Sequence, residues 1–391
     1  MQVNFKSDIV ILGAGIVGMV TAIALSNRGI KTTIIEKRSQ EELLSSKDER
    51  NIAITKTTEK WLRLNNIWND LAEFAAKVND IYVIDDKDEN SMIHLYKKNN
   101  LLHELGHMIL NHDLIRVILK KIEADENITL ILNSNYTDID AQDMQNFVYL
   151  DNSTIIQASW VLACDGKFSK VKKKYCRYQV QKNYNQSALV FQLKHAKAHE
   201  GTAVEHFTSS GVFAILPTKD QFISSVVWIE KPEIAQLLNS MSAVEFTHNA
   251  LQKFGPFLGE LTLNSKIFSY PLTAELIENY YHKKIIFLGD SAHSIHPLAG
   301  QGLNQGIKDV IDLVDLISSK YFVGCDLLES DLKVYQKSRA HDNFIMFSAC
   351  DFMEKIFKRK LGMIPVFRKM AMRLINKSSW IKDKILNFGT K

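Results

Sequence analysis

Cysteine is scarce in this chain. It occurs four times in 391 residues, as Cys164, Cys176, Cys325 and Cys350, with no CxxC pair. Neither a disulfide framework nor a zinc site is expected, and a reducing compartment fits best. With 6 prolines, 17 glycines and 46% apolar residues, the composition excludes collagen-like, low-complexity and disordered chains. No uncharged apolar run reaches the roughly 18 residues that a bilayer-spanning helix needs. The opening MQVNFKSDIV carries Lys6 and Asp8 and runs straight into an apolar strand, so no secretory signal is expected. A cytoplasmic chain of two or three packed units remains, at about 150 residues per unit.

Charge is unevenly spread. From Asp351 onward, eight Lys and three Arg face Asp351, Glu354 and Asp383, a net of +8 in a chain whose total is +4. The excess positive charge is therefore terminal. Nucleic acid is not expected as a partner, because that tail contains no recognised reading module.

The order of elements is informative. Ser7–Leu12 is a β-branched strand ending at Gly13, Gly15–Arg28 has helical spacing, and Lys31–Glu36 is a second strand. This is a βαβ unit with a parallel sheet. Residues 80–97, 128–132, 147–150 and 160–164 read as strands and 111–124 as a helix. From about Gln186 to Leu272, closely spaced alternating runs predict an antiparallel layer with one helix near Ala243–Phe254. Lys284–Leu288 resumes the first fold, a helix follows from about Gly302 to Lys320, and everything beyond Asp331 has helical spacing.

Gly13-Ala14-Gly15-Ile16-Val17-Gly18 is GxGxxG between strand and helix, with Glu36 closing the next strand. Each glycine has a reason: Gly13 for the tight turn, Gly15 for approach of a pyrophosphate to backbone amides, and Gly18 for close packing of helix on strand. Ala14 and Ile16 lie in the same turn, and the helix N-terminus stabilises the anion. Glu36 is expected to accept from ribose hydroxyls. The motif alone does not separate NAD from FAD.

Two later segments do. Cys164-Asp165-Gly166 ends a strand in a turn, and Gly289-Asp290 opens a loop that runs through His293, His296-Pro297-Leu298-Ala299-Gly300-Gln301-Gly302-Leu303-Asn304 and Gly306 to Asp309. In order and spacing, the three segments resemble the fingerprints of class A FAD-dependent aromatic monooxygenases. Within that group the last segment resembles the signature of the ubiquinone-biosynthesis ring hydroxylases. The resemblance extends over essentially the whole chain.

A flavin needs polar groups on its ribityl chain, donors at its pyrimidine edge and a dry reactive face. Asp290 is placed to accept from ribityl hydroxyls, and the amides of Leu303 and Asn304 at a helix N-terminus would stabilise negative charge on the ring. Gly300 and Gly302 leave room for the ring, and Pro297 fixes the loop. The resemblance adds Arg50, in Asp48-Glu49-Arg50-Asn51, as a cofactor contact. It adds Asn111, after a turn where His107 replaces the usual tyrosine; Asn111 serves equally as a helix cap. Where the family pattern ends in arginine this chain has Lys172, so a bidentate contact is expected to be lost. His293 and His296 are read as loop-ordering hydrogen-bonders, because the cofactor performs the oxygen transfer itself.

What the resemblance implies is a Rossmann-like FAD-binding domain (1–175 and 276–345, including Gly289), an inserted antiparallel β-sheet substrate domain (176–275) and C-terminal basic helices (346–391). The implied reaction is hydroxylation of a polyprenylated phenol or quinol by O2 through a flavin C4a-hydroperoxide. With no second GxGxxG, electrons come from NAD(P)H docking transiently or from an electron-transfer protein. No metal is expected. Phe213, Leu216 and Pro217 are candidates for a wall of the substrate pocket or for core. Met363, Phe367, Met370 and Leu374 repeat at i, i+4, i+7 and i+11 among Arg359, Lys360, Arg368, Lys369, Arg373 and Lys377. That pattern suits peripheral contact with the inner membrane face as well as packing on the chain's own core. Other readings are another FAD enzyme of the same fold, such as a halogenase (whose WxWxIP pattern is absent) or a prenyl-chain reductase, and a catalytically silent membrane or complex scaffold of the ubiquinone pathway.

Overall fold

The computed structural model describes residues 3–45, 48, 50–85, 92–96, 104–208, 210–359 and 362–390. Glu49, Lys360 and part of the run at 80–97 lie outside them. Two large sheets and one small one organise the chain. In the first sheet, Phe5–Leu12 pairs in parallel with Thr32–Ile35 on one side and Ile155–Ala163 on the other. Ile128–Ile131 and Ile285–Phe287 extend the parallel set outward. These strands are short and β-branched because both faces are covered: Val10, Ile11, Leu12, Ile34, Leu162, Ile285 and Phe287 have no exposed surface. The strand at 285–287, far along the chain, thus returns to the sheet begun at residue 5.

The turn after Phe5–Leu12 is set by glycine. Gly13 has φ +98°, and a Cβ on it would stand 2.7 Å from the Cys164 carbonyl oxygen. A Cβ on Gly18 would stand 2.2 Å from the Gly13 carbonyl oxygen, so helix Ile16–Ser26 packs on the strand turn only because a side chain is missing there.

The second sheet has nine strands centred on the 18-residue strand Tyr178–His195, which pairs antiparallel with Ile223–Glu230 and Phe268–Ile277. One face is covered by helices Pro232–Ser240 and Ala243–Phe254, over a core of Phe191, Phe213, Trp228 and Phe246. The first of those helices escaped the sequence reading, which saw a single helix; Pro232 at its first position opens it. Phe213 packs edge-on against Trp228 at 5.1 Å. It therefore belongs to this core, on the face opposite Val212 and Ala214, and does not wall the pocket side. Leu216 faces the cluster around Ala76 and Leu105, and the Pro217 carbonyl accepts from Asn51 Nδ2 at 2.9 Å.

Two details differ from expectation. Asp80–Asp85 and Met92–Leu95 join the second sheet, and Asp80–Asp85 does so parallel to Thr202–Phe207. Their alternating pattern suits any free strand edge, and the edge available is that of Thr202–Phe207. A third sheet pairs Gly106–Leu110 with Asn51–Thr55 and Ala76–Val78.

Helix Glu329–Lys358 lies along the other face of the second sheet, through Met346, Phe347 and Cys350. Helices Ile364–Lys377 and Ser379–Thr390 end the described chain. Met372 and Leu386 are buried against the cluster of Ile93, Leu95 and Leu105, whereas Met363, Phe367, Met370 and Leu374 are 65%, 59%, 53% and 62% exposed. The periodic stripe read from sequence is the outward face of that helix, and a different face docks it. Arg368 turns inward to Asp85 at 2.7 Å and is not part of the cationic surface. None of the described helices is long and apolar enough to cross a membrane.

Replacing Gly18 by Ala forces that close contact apart. The apoprotein is expected to lose about 2 kcal/mol or more of unfolding free energy, overpacking outweighing the gain of about 1 kcal/mol in helix propensity; urea denaturation monitored by tryptophan fluorescence measures it.

Candidate functional site

The carboxyl ends of the parallel strands bring the three motif segments together. Helix Ile16–Ser26 starts after an extended Gly15 and has no side-chain cap, so its first amides are open. Glu36 Oε2 accepts from the Ala14 amide at 2.8 Å, and Oε1 accepts from Arg38 Nε at 2.8 Å. Burial pulls the Glu36 carboxyl up, but Arg38 and the Ala14 amide outweigh it and hold it below the usual carboxylate range. It is an ionised acceptor beside the turn, steadied by Arg38, which sequence reading overlooked.

Arg50 and Asn111 meet on a shared acid. Arg50 Nη2 lies 2.6 Å from Asp48 Oδ2, and Asn111 Nδ2 donates to the same oxygen at 2.8 Å. The cap of helix Asn111–Glu123 is Leu110 in extended conformation, so Asn111 does not cap it. The guanidinium also lies 5.8 Å from the Tyr270 ring centre. Burial works to lower the Arg50 pKa, and Asp48, Tyr270 and Asp290 together raise it above its ordinary value. Asp290, exposed at the start of its loop, thus belongs to the same neighbourhood. Asp48 was legible as part of the motif, but its role as anchor was not.

At the Asp-Gly turn, Tyr136 Oη donates to Asp165 Oδ2, while Asp165 Oδ1 is buried without a hydrogen bond. Burial pushes the Asp165 carboxyl above the usual range against the hydrogen bonds that lower it. Lys172 is 1% exposed and donates to the Lys167 carbonyl at 2.8 Å and to Glu275 Oε2 at 2.9 Å. It clips the turn to strand Phe268–Ile277.

The long loop is held from below by Asp309. Its Oδ2 accepts from the Gly289 amide at 2.9 Å and pairs with His293 Nε2 at 2.6 Å, and its Oδ1 accepts from Arg339 Nε at 2.8 Å. Burial would raise the Asp309 pKa, but His293 and Arg339 outweigh it and keep the carboxylate ionised. Arg339, thirty residues on in the long helix, carried no motif signal. His293 is a loop-ordering residue, as expected. Asn304 is fully buried: its Oδ1 accepts from the Thr55 amide and Thr58 Oγ1, and its Nδ2 donates to the Ala53 carbonyl. Its side chain locks helix Gly302–Tyr321 to strand Asn51–Thr55, so only its backbone amide is left for a ligand. The first helical hydrogen bond there is Gln305 N to Gln301 O at 3.0 Å, which leaves the amides at 302–304 open. Pro297 and Gly300 are exposed beside them and Leu303 is half-buried.

The residues fit a long, flat, phosphate-bearing cofactor. Gly15, Gly166 and Gly302 have no atom within 4 Å of where a Cβ would stand, two helix N-termini are open, and Asp165 Oδ1 lacks a partner. A family model described as FAD binding domain matches residues 6–321. The chain belongs to that family. Its cofactor is FAD. Among similar proteins, ubiquinone hydroxylase UbiL of Rhodospirillum rubrum is 28% identical over 380 residues, covering 96% of this chain and 87% of the relative. The 3-demethoxyubiquinol 3-hydroxylase of Escherichia coli is 26% identical over 390 residues, covering 99% of each. The crystal structure of p-nitrophenol 4-monooxygenase PnpA from Pseudomonas putida DLL-E4 superposes with TM-score 0.80 over 99% of this chain and 98% of that one; at 16% identity this concerns the fold alone.

His296, within the same loop, is 2% exposed. Burial, then Lys358 and Lys182, lower its pKa from 6.5 to about 4, with Asp351 opposing. A depressed native pKa means that the unfolded chain binds the proton more readily. Its contribution to stability is complete above about pH 6.5 and is lost as the pH falls towards 4. The unfolding free energy of His296→Gln is expected to fall about 2–3 kcal/mol less than that of the parent between pH 7 and 4, measured by urea denaturation across that range.

Proposed function

We propose that this protein is an FAD-dependent monooxygenase that hydroxylates the aromatic ring of a polyprenylated ubiquinone precursor with O2. The observation that carries the reading is the free space at Gly15, Gly166 and Gly302 beside two open helix N-termini, in a chain similar end to end to ubiquinone hydroxylases. Bound FAD, reduced by the electron donor, would supply the two electrons that activate O2, one oxygen atom of which enters the ring while the other leaves as water. The chain's own residues bind and orient it. The amides following Gly15 would meet the pyrophosphate, Glu36 the adenosine ribose, Arg50 and Asp290 the ribityl and phosphate region, and the amides of Leu303 and Asn304 the pyrimidine edge, where the helix dipole favours negative charge.

The units responsible are residues 1–175 with 276–345 for FAD, 176–275 for the substrate and 346–391 for the terminal helices. The strands at 80–85 and 92–95 contribute to the second sheet from outside the middle unit. The reductant is NAD(P)H or an electron-transfer protein.

The terminal helices give the enzyme access to a lipid-borne substrate. Four apolar side chains of helix Ile364–Lys377 and its cap face outward, with Phe352, Val366 and Trp380 also exposed, in the segment that carries the chain's excess positive charge. A surface of this kind adsorbs to anionic lipid through apolar burial and charge together. A ubiquinone-biosynthesis complex is a further partner consistent with it.

Three results test the reading. The purified protein is expected to be yellow, and Gly15→Leu to lose at least tenfold in FAD affinity with apoprotein stability unchanged, measured by fluorescence titration. Deletion of the gene is expected to accumulate one under-hydroxylated quinone precursor by mass spectrometry; a normal profile would falsify the pathway. Vesicles containing phosphatidylglycerol are expected to co-sediment the protein, and replacing Phe367 and Met370 together by Ser to weaken this at least tenfold.

A further inference from the structure

The last two helices cover a junction of the fold with little of their own surface. Among the described side chains of Ile364–Lys377 and Ser379–Thr390, only Met372 and Leu386 are buried. Leu386 belongs to the cluster against which Ala53 and Leu216 pack. Ala53 in turn faces the long loop, since a Cβ on Gly300 would stand 2.9 Å from the Ala53 Cβ. One turn beyond Leu386, the Gly389 carbonyl accepts from Gln301 Nε2 at 3.2 Å. Gln301 is 7% exposed and directly precedes the open amides at 302–304. The last helix therefore ends where strand Asn51–Thr55, the end of strand Val212–Pro217 and the start of helix Gly302–Tyr321 meet. In the proposed binding mode, the flavin ring meets the middle unit at this junction.

The rest of the attachment is polar. Arg368 pairs with Asp85 at 2.7 Å and donates to the Ile356 carbonyl at 2.7 Å. Asn376 Oδ1 accepts from the His94 amide at 3.1 Å, on the strand that ends the second sheet. Lys382 Nζ lies 5.0 Å from the Tyr96 ring centre. A segment with so few buried apolar contacts opens at a small fraction of the free energy of global unfolding. In water the docked arrangement is favoured, because it hides Met372, Leu386 and the strand edge.

The opposite sides of the same helices carry Phe367, Met370, Leu374 and Trp380, all exposed. A lipid surface receives that stripe in either arrangement, but only the lifted helices can place Met372 and Leu386 in it as well. Lipid thus binds the lifted state better than the docked one, which is the condition for shifting a two-state balance. We propose that the two helices are a lid, latched in water through Gln301 and Asn376 and lifted at an anionic lipid surface, so that the junction beside Ala53 and Gln301 opens only where a lipid-borne substrate is at hand. The inference rests on the proposed hydroxylase with a lipid-borne substrate and deepens it, because membrane contact becomes the switch of the site.

The test is hydrogen exchange of the unmodified, FAD-loaded chain with vesicles of phosphatidylglycerol or of phosphatidylcholine alone. The His94 amide is bonded to the lid, so its exchange is expected to quicken at least tenfold on phosphatidylglycerol and to stay unchanged with phosphatidylcholine. A second measurement places spin labels at the exposed positions of Ile385→Cys and Val244→Cys, with Cys176→Ser and Cys325→Ser, in protein whose FAD content and thermal midpoint match the parent. Their separation is expected to change by about 10 Å, one helix diameter, on phosphatidylglycerol. Protein that sediments with those vesicles but keeps the His94 rate and the label separation of the free state overturns the lid and leaves the membrane surface standing. Protein that does not sediment overturns both. A lid that lifts in a protein whose gene deletion leaves the quinone profile normal overturns the hydroxylase reading alone.

Discussion

A single buried carboxylate, Asp309, governs the placement of the loop that opens at Gly289. It has no exposed surface, so its charge is tolerable only with its partners in place: the Gly289 amide, His293 and Arg339. Arg339 reaches Asp309 from the long helix and also donates to Gln305 Oε1 at 3.2 Å. The loop, the helix after it and the helix that lies on the second sheet therefore share one electrostatic anchor. Removing one partner of a buried pair leaves an uncompensated charge and costs about 3–5 kcal/mol. Asn304 adds a neutral lock between the same helix and strand Asn51–Thr55. The loop and the start of helix Gly302–Tyr321 are thus held by side chains, while the backbone amides at 302–304 stay open.

The three acids of the motif segments differ in environment. Glu36 sits beside Arg38 and is held ionised. Asp165, buried beside a tyrosine hydroxyl, is pushed up. Asp290 is exposed next to Arg50. Ribose and ribityl chains present hydroxyls, which an ionised carboxylate accepts strongly, while the flavin's redox change favours nearby positive dipole. In the proposed binding mode, Glu36 and Asp290 would meet the sugar segments and the helix N-termini the charged ends.

The terminal helices dock through only part of their surface. Met372 and the Arg368–Asp85 pair dock helix Ile364–Lys377 on one side, which leaves its apolar stripe outward. A soluble fold gains nothing from four exposed large apolar side chains spaced on one helical face.

The local signals of this chain lay in its sequence: the strand and helix periods, the glycine turn at 13–18, the Asp-Gly and Gly-Asp segments, and the resemblance they carry together. Such signals survive in sequence because they depend on residues a few positions apart. The tertiary structure decided whatever joins distant positions. It brought Arg339 to Asp309, Asn111 to Asp48 and Lys172 to Glu275, gave the strand at 80–85 to the second sheet, and put Phe213 in the core. It also turned the C-terminal stripe outward and left Gln186 Oε1 and His296 Nε2 buried without a hydrogen bond. Period and spacing say which face of an element is apolar. Only packing decides what that face meets, because a buried charge or an open strand edge takes the partner that the fold brings within reach.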